Sequence, residues 1–131
     1  MQNFISKNNQ PTNVSPPSNE ALANEISADE IKLRIFKEFL DLIILIELKE
    51  HTQLSGYDLA LLQNQKYGVT LSPGTVYATL YAMERRGLIT GKSEGKKRTF
   101  CLSSKGEKGV ETLKEASVTL VDFMKCIFPL P

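Results

Sequence analysis

The chain contains one histidine, His51, with no serine or cysteine beside it, so any triad or Cys–His pair would depend on a residue with no visible partner. His51 reads as a surface residue in a linker. Metal chemistry has no better footing. There is no CxxC or HxxxH spacing, and the two cysteines, Cys101 and Cys126, are too few for a disulfide framework. Both read as small apolar side chains, Cys101 on a strand face and Cys126 on a last helix. An intersubunit Cys126 pair acting as a redox sensor is the alternative. Asp58 and Glu84 stand apart and read as capping and salt-bridging groups rather than an acid pair. No nucleotide-binding loop is present. These residues predict no catalytic site, no cofactor and no metal.

The remaining chemistry is that of binding anions. Ser72-Pro73-Gly74-Thr75 has the pattern of a helix start, with Ser72 as cap and Pro73 at the first helical position. The free N–H groups of Gly74 and Thr75, with the helix dipole, favour a phosphate there. Cations follow at Arg85-Arg86, Lys92 and Lys96-Lys97-Arg98. From Ser72 to Arg98 six cations face two anions, leaving +4. Residues 1–50 carry five cations and eight anions, leaving −3. A concentration of positive charge on one helix and the segment after it suits nucleic-acid phosphates. Alone, Lys96-Lys97-Arg98 would suit a solvated turn guarding a strand edge equally well.

The elements that must position these groups are legible in part. Residues 1–26, rich in Asn, Gln, Ser and Pro, read as a flexible tail. Ser27 and Glu30 form a capping-box pattern, and a helix is expected from Ser27 to about Glu50. Its second half, around Leu42 to Ile46, is apolar on nearly every side. It therefore predicts cover by a second chain, and so a dimer. His51 to Ser55 reads as a linker. A second helix starts at Ser55, with Asp58 three residues on, and stops at Tyr67-Gly68. A third runs from Pro73 to Arg86 and ends at Gly87. Val76, Leu80 and Met83 form its buried stripe, with Gly74, Ala78, Tyr81, Ala82 and Arg85 opposite. Two strands, 88–93 and 97–102, are joined by a turn at Gly95. In the second, Phe100 and Leu102 alternate with Thr99 and Cys101, the period of a half-buried strand. A last helix spans about 103–128.

Helix, helix, helix, hairpin, helix is the layout of a winged helix-turn-helix: mainly α, with a small β-hairpin and extra terminal helices for dimerisation. The third helix would read the major groove, and the hairpin is the wing. Residues 27–131 form the expected DNA-binding domain, with dimerisation by the helix at about 103–128.

The sequence resembles the PadR family of transcriptional regulators. The resemblance lies in Gly56-Tyr57-Asp58-Leu59, Leu71-Ser-Pro-Gly-Thr-Val-Tyr-Ala-Thr-Leu80 and Met83-Glu-Arg-Arg-Gly-Leu-Ile89. Phe39-Leu-Asp-Leu-Ile-Ile-Leu adds to it, and about residues 36–109 are covered. Ala78 stands where the family often has proline, and Thr99-Phe-Cys-Leu replaces a more usual Tyr-Tyr-x-Leu. With one C-terminal helix, the chain resembles a minimal member. The resemblance implies a homodimeric repressor on a pseudo-palindromic operator, dimerised through its first and last helices. In some members a small aromatic or drug-like ligand releases DNA; any inducer here is unknown.

The expected DNA-binding residues are Tyr57, Ser72, Gly74, Thr75, Tyr77, Ala78, Tyr81, Arg85, Lys96, Lys97 and Arg98. For Tyr77, packing beside Val76 and Leu80 is the alternative role. The expected dimer interface is Phe39, Ile43, Ile46, Leu120, Phe123, Met124 and Ile127. Competing functions are a replication-terminator or plasmid-type architectural winged helix, and a protein-interaction winged helix without sequence-specific DNA binding.

Of the chain's 131 residues, 41% are hydrophobic and 24% charged, with a net charge of +1. That balance excludes a strongly basic nucleic-acid coat protein and an acidic solubilising tail. No apolar run suits a signal peptide or membrane span, so a cytoplasmic, nucleoid-associated location is the expectation.

Overall fold

The computed structural model describes residues 26–131. The tail expected over residues 1–26 thus lies outside the described residues, apart from Ile26. The chain divides into two units, Met1–Lys32 and Leu33–Pro131. In the first, the described residues hold the start of helix α1 (Ala28–Glu38), where the Ser27 hydroxyl accepts the Glu30 N–H at 3.1 Å. That is the forward half of the expected capping box.

The single helix expected from Ser27 to Glu50 is instead two. Phe39, at φ −108° and ψ 24°, breaks it, and α2 (Leu40–His51) follows. No proline or glycine marks the break. The Leu42 N–H turns to the Asp41 carboxylate at 2.9 Å, where a continuous helix would offer it the Glu38 carbonyl. Aspartate competes with the backbone in this way near helix starts.

The apolar circumference of α2 is also covered differently from expectation. Leu40, Ile44, Leu45 and Leu48 are buried within this chain, because α2 packs against the later helices Pro73–Arg85 and Ser104–Ile127 and against the sheet. Only Phe39 and Ile46 stay substantially exposed, so an all-apolar α2 does not itself demand a second chain.

His51 closes α2 as its last residue rather than lying in a linker. Leu54–Ser55 then form a strand, β1, that the sequence did not announce. It pairs with β3 (Lys97–Leu102), which also pairs with β2 (Ile89–Glu94), giving the antiparallel order β1-β3-β2. Leu54 lies opposite Phe100, and Ile89 opposite Leu102. As the middle strand, β3 does not show the expected alternation. Thr99 and Phe100 are both buried, and the Gln53 side chain donates to the Thr99 hydroxyl at 2.6 Å.

Helix α3 (Gly56–Tyr67) carries the full Ser55–Asp58 capping box and ends at Gly68. Helix α4 (Pro73–Arg85) follows Ser72, and α5 (Ser104–Ile127) follows Ser103, whose hydroxyl accepts the Gly106 N–H. The core gathers Ile44, Leu48, Leu59, Val76, Leu80, Met83 and Phe100, all at 1% exposure or less. Burying each contributes roughly 1.5–3 kcal/mol. No helix among the described residues is long and apolar enough to cross a membrane.

Candidate nucleic-acid interface

The position of α4 is set from its first turn. The Ser72 hydroxyl accepts the Thr75 N–H at 3.2 Å, and Pro73 occupies a position that needs no donor. Val76, Leu80 and Met83 are fully buried, as the period predicts. That fixes the opposite side of the helix, where Gly74, Ala78, Tyr81 and Arg85 are all exposed in successive turns. Two of the four are nearly without side chain, so a partner can approach the backbone closely. Ala82 is a correction to this face. It is half-buried and lines a groove with Lys37, Leu40 and Asp41. The α1–α2 junction lies against that side of α4. Arg86 fastens the same side, with its guanidinium 3.3 Å from Asp41.

The other flank of α4 faces the sheet. Tyr77 is half-buried over the start of α3, where a Cβ on Gly56 would sit 2.5 Å from the Tyr77 ring. A side chain at Gly56 would therefore require the Tyr77 ring to shift. The rings of Tyr77 and Tyr81 are 6.0 Å apart, and Tyr81 meets Phe100 of β3 edge-on at 6.3 Å. An aromatic row thus runs along α4 to the hairpin. Tyr57 lies at the start of α3 and is 68% exposed.

The hairpin turns on two residues, Gly95 and Lys96, with Gly95 at φ 64°, a conformation that favours glycine at the first turn position. Lys96 is exposed at the tip. Lys97 is exposed but lies 3.6 Å from Asp58, whose carboxylate also accepts the Ser55 N–H at 3.0 Å. The Ser55 backbone bond holds the Asp58 carboxyl below the usual aspartate range, against the opposing effect of burial and with help from Lys97. Arg98 donates to Glu84 of α4 at 2.7 Å. Lys92 is 3.9 Å from Glu94 and well exposed. Of the six cations between Ser72 and Arg98, Arg85 and Lys96 make no ion pair among the described residues. The loose pairs of Lys92 and Lys97 are of the surface kind, worth about 0–1 kcal/mol.

The sequence reading placed Glu84 as a salt-bridging group without finding its partner. It missed β1 and the Gly56–Tyr77 contact. Each joins residues far apart in sequence, and no spacing rule reports such pairs.

His51 lies beside Glu47 and Glu50, and their donor atoms come within 4.8 Å of one another. The Glu47 carboxylate already receives Lys66 at 3.0 Å and the Tyr67 hydroxyl at 3.2 Å, so it is spent on internal partners. Cys101 is half-buried on β3, and Cys126 is exposed on α5. Of the expected dimer residues, Phe39, Ile46, Leu120, Phe123, Met124 and Ile127 are exposed, and Ile43 is half-buried.

Helices α2, α3 and α4 with a three-stranded sheet whose last two strands form a hairpin, and with α4 exposed beside it, define a winged helix. No protein-family model matches the sequence, and no curated protein does. Solved structures match the fold. A PadR family transcriptional regulator from Eggerthella lenta DSM 2243 superposes with a TM-score of 0.68 at 17% identity, over 85% of this chain and 100% of that one. A PadR-like transcriptional regulator from Bacillus cereus strain ATCC 14579 gives 0.63 at 21%, over 75% and 99%. A winged-helix DNA-binding protein from STIV gives 0.52 at 18%, over 68% and 91%. The chain has the winged-helix fold of the PadR-family regulators, in agreement with the resemblance carried by its motifs.

Proposed function

We propose that the protein is a DNA-binding transcriptional regulator, acting as a homodimeric repressor on a pseudo-palindromic site. The observation that carries this reading is the exposed strip Gly74, Ala78, Tyr81 and Arg85 on α4, bordered by the cations of the hairpin. Helix α4 enters the major groove. Tyr81 and Arg85 reach base edges or the backbone, and the small Gly74 and Ala78 let the helix sit deep. Ser72, Thr75 and the free Gly74 N–H lie at the positive end of α4 and take a phosphate. Tyr57, Tyr77, Lys96 and Lys97 contact the flanking backbone, with the wing along the minor groove. The structures it resembles include transcriptional regulators and a DNA-binding protein, which supports the same class.

The test is binding to a duplex from upstream of its own gene against a random duplex, titrated with salt. Preferential binding that weakens steeply as salt rises is the expected result. Tyr81→Ala should narrow the gap between the two duplexes, whereas Lys96→Ala should weaken both alike. Equal, weak and salt-insensitive binding to both would replace this reading with a winged helix that binds protein.

A further inference from the structure

Arg98 differs from the other cations of the hairpin in what surrounds it. Its Nη2 lies 2.7 Å from Glu84 Oε2, and the same oxygen accepts the Gly91 N–H at 3.1 Å. Gly91 belongs to β2, one of the two outer strands of the sheet, and its N–H is satisfied by Glu84. The Arg98 guanidinium lies across Gly91 so closely that a Cβ there would collide with it. It also stands 5.5 Å over the ring of Phe100, which is fully buried and touches Tyr81. Its Nε is buried. One carboxylate on α4 therefore grips both strands of the hairpin, and the glycine gives the guanidinium its seat.

We infer that Arg98 is a positioning residue: with Glu84 it locks the wing at a fixed angle to α4 and does not offer its charge to DNA. The inference rests on the DNA-binding reading for its consequence, but the lock itself is a property of the free protein. Wing contact with phosphate then falls to Lys96, Lys97 and Lys92. The lock also explains why a carboxylate, unfavourable near DNA, stands on the reading helix. Glu84 is neutralised by Arg98 and spends its charge on partners within the chain.

The two possible roles of Arg98 predict opposite signs. If Arg98 is a phosphate contact, Glu84→Gln frees it, removes a repulsive charge and tightens DNA binding. If Arg98 positions the wing, Glu84→Gln weakens binding, although the protein has become more positive. The experiment measures the salt-dependent affinity of Glu84→Gln, Arg98→Met and Lys96→Ala for the upstream duplex. It is paired with amide hydrogen exchange at Gly91 in the DNA-free protein. Both lock variants should bind about ten-fold more weakly with an unchanged slope of log K against log salt, whereas Lys96→Ala lowers the slope by about 1. Gly91 exchange should be slow in the parent protein and faster in both lock variants.

Tighter binding by Glu84→Gln, or a slope lowered by about 1 in Arg98→Met, would overturn the inference and make Arg98 a phosphate contact. Unchanged Gly91 exchange in both variants would overturn the lock whatever the DNA result. If the parent protein bound no DNA, the functional proposal would fall, and faster Gly91 exchange in the two variants would still support the lock.

Discussion

Glu47 is a fully buried carboxylate on α2, tolerable because its oxygens meet Lys66 and the Tyr67 hydroxyl. The hydrogen bond to Glu47 pushes the Lys66 ammonium up from its ordinary range; burial, then the Glu47 charge, pushes the Tyr67 hydroxyl up. Glu47→Gln keeps the shape but weakens both bonds. It should cost about 2 kcal/mol, measured as a lower urea midpoint with an unchanged slope. The Ser55–Asp58 cap is of another kind. The Asp58 carboxyl is depressed in the folded protein, so its contribution is complete above the unfolded value near pH 4 and is lost as pH falls through the folded value. Urea midpoints at pH 7 and pH 3 should therefore separate less in Asp58→Asn than in the parent. An equal separation would show that the cap does not govern the acid response. The sequence displayed the cap because its partners are three residues apart. It hid the Glu47–Lys66 pair, since a bond between residues 19 apart follows from how α2 and α3 pack, not from any spacing.

Gly56 of α3 and the Tyr77 ring of α4 are in close contact. A methyl group at Gly56 would meet the ring at 2.5 Å, so the ring or the helix must move. Gly56→Ala should destabilise by about 1–3 kcal/mol, the range for overpacking, despite alanine's better helix propensity. Tyr77→Ala in the same background removes the obstacle. The double variant should therefore be more stable than the sum of the single losses, as a double-mutant cycle in thermal unfolding would measure. A strictly additive cycle would show that the contact is slack. Elements with a long period or a local stop signal were legible, above all α4 with Val76, Leu80 and Met83. The break at Phe39 was not, because neither proline nor glycine marks it, and the Asp41 carboxylate that accepts the Leu42 N–H there carries no periodic signal. Strand β1 was not legible either, since two residues carry no period and exist as a strand only through β3.

The 24 residues of α5 make a helix roughly 36 Å long, and its two halves have different surroundings. Gly106 and Val110 are buried, Gly109 approaches Leu45, and Glu107 pairs with Lys49, so the first half is bound to α2. From residue 117 onward every residue is exposed, including Val118, Leu120, Val121, Phe123, Met124 and Ile127. An apolar surface of this length is a liability for a lone soluble chain and suits association with a second copy. The sequence pointed to dimerisation partly through α2, which this chain covers for itself, so the weight of that proposal moves to α5. Replacing Leu120 and Phe123 together with glutamate tests it, since both side chains are already exposed and the fold should be retained. Light scattering should give twice the chain mass for the parent and the single-chain mass for the variant, with the same far-ultraviolet dichroism. A dimer reading two half-sites gains its affinity from simultaneous engagement. The monomeric variant should therefore bind a full upstream duplex about as weakly as a half-site, roughly 10²-fold or more below the parent. A variant that keeps the double mass would place the interface elsewhere than α5. A monomeric variant with parental affinity would show that one copy is enough to hold the site.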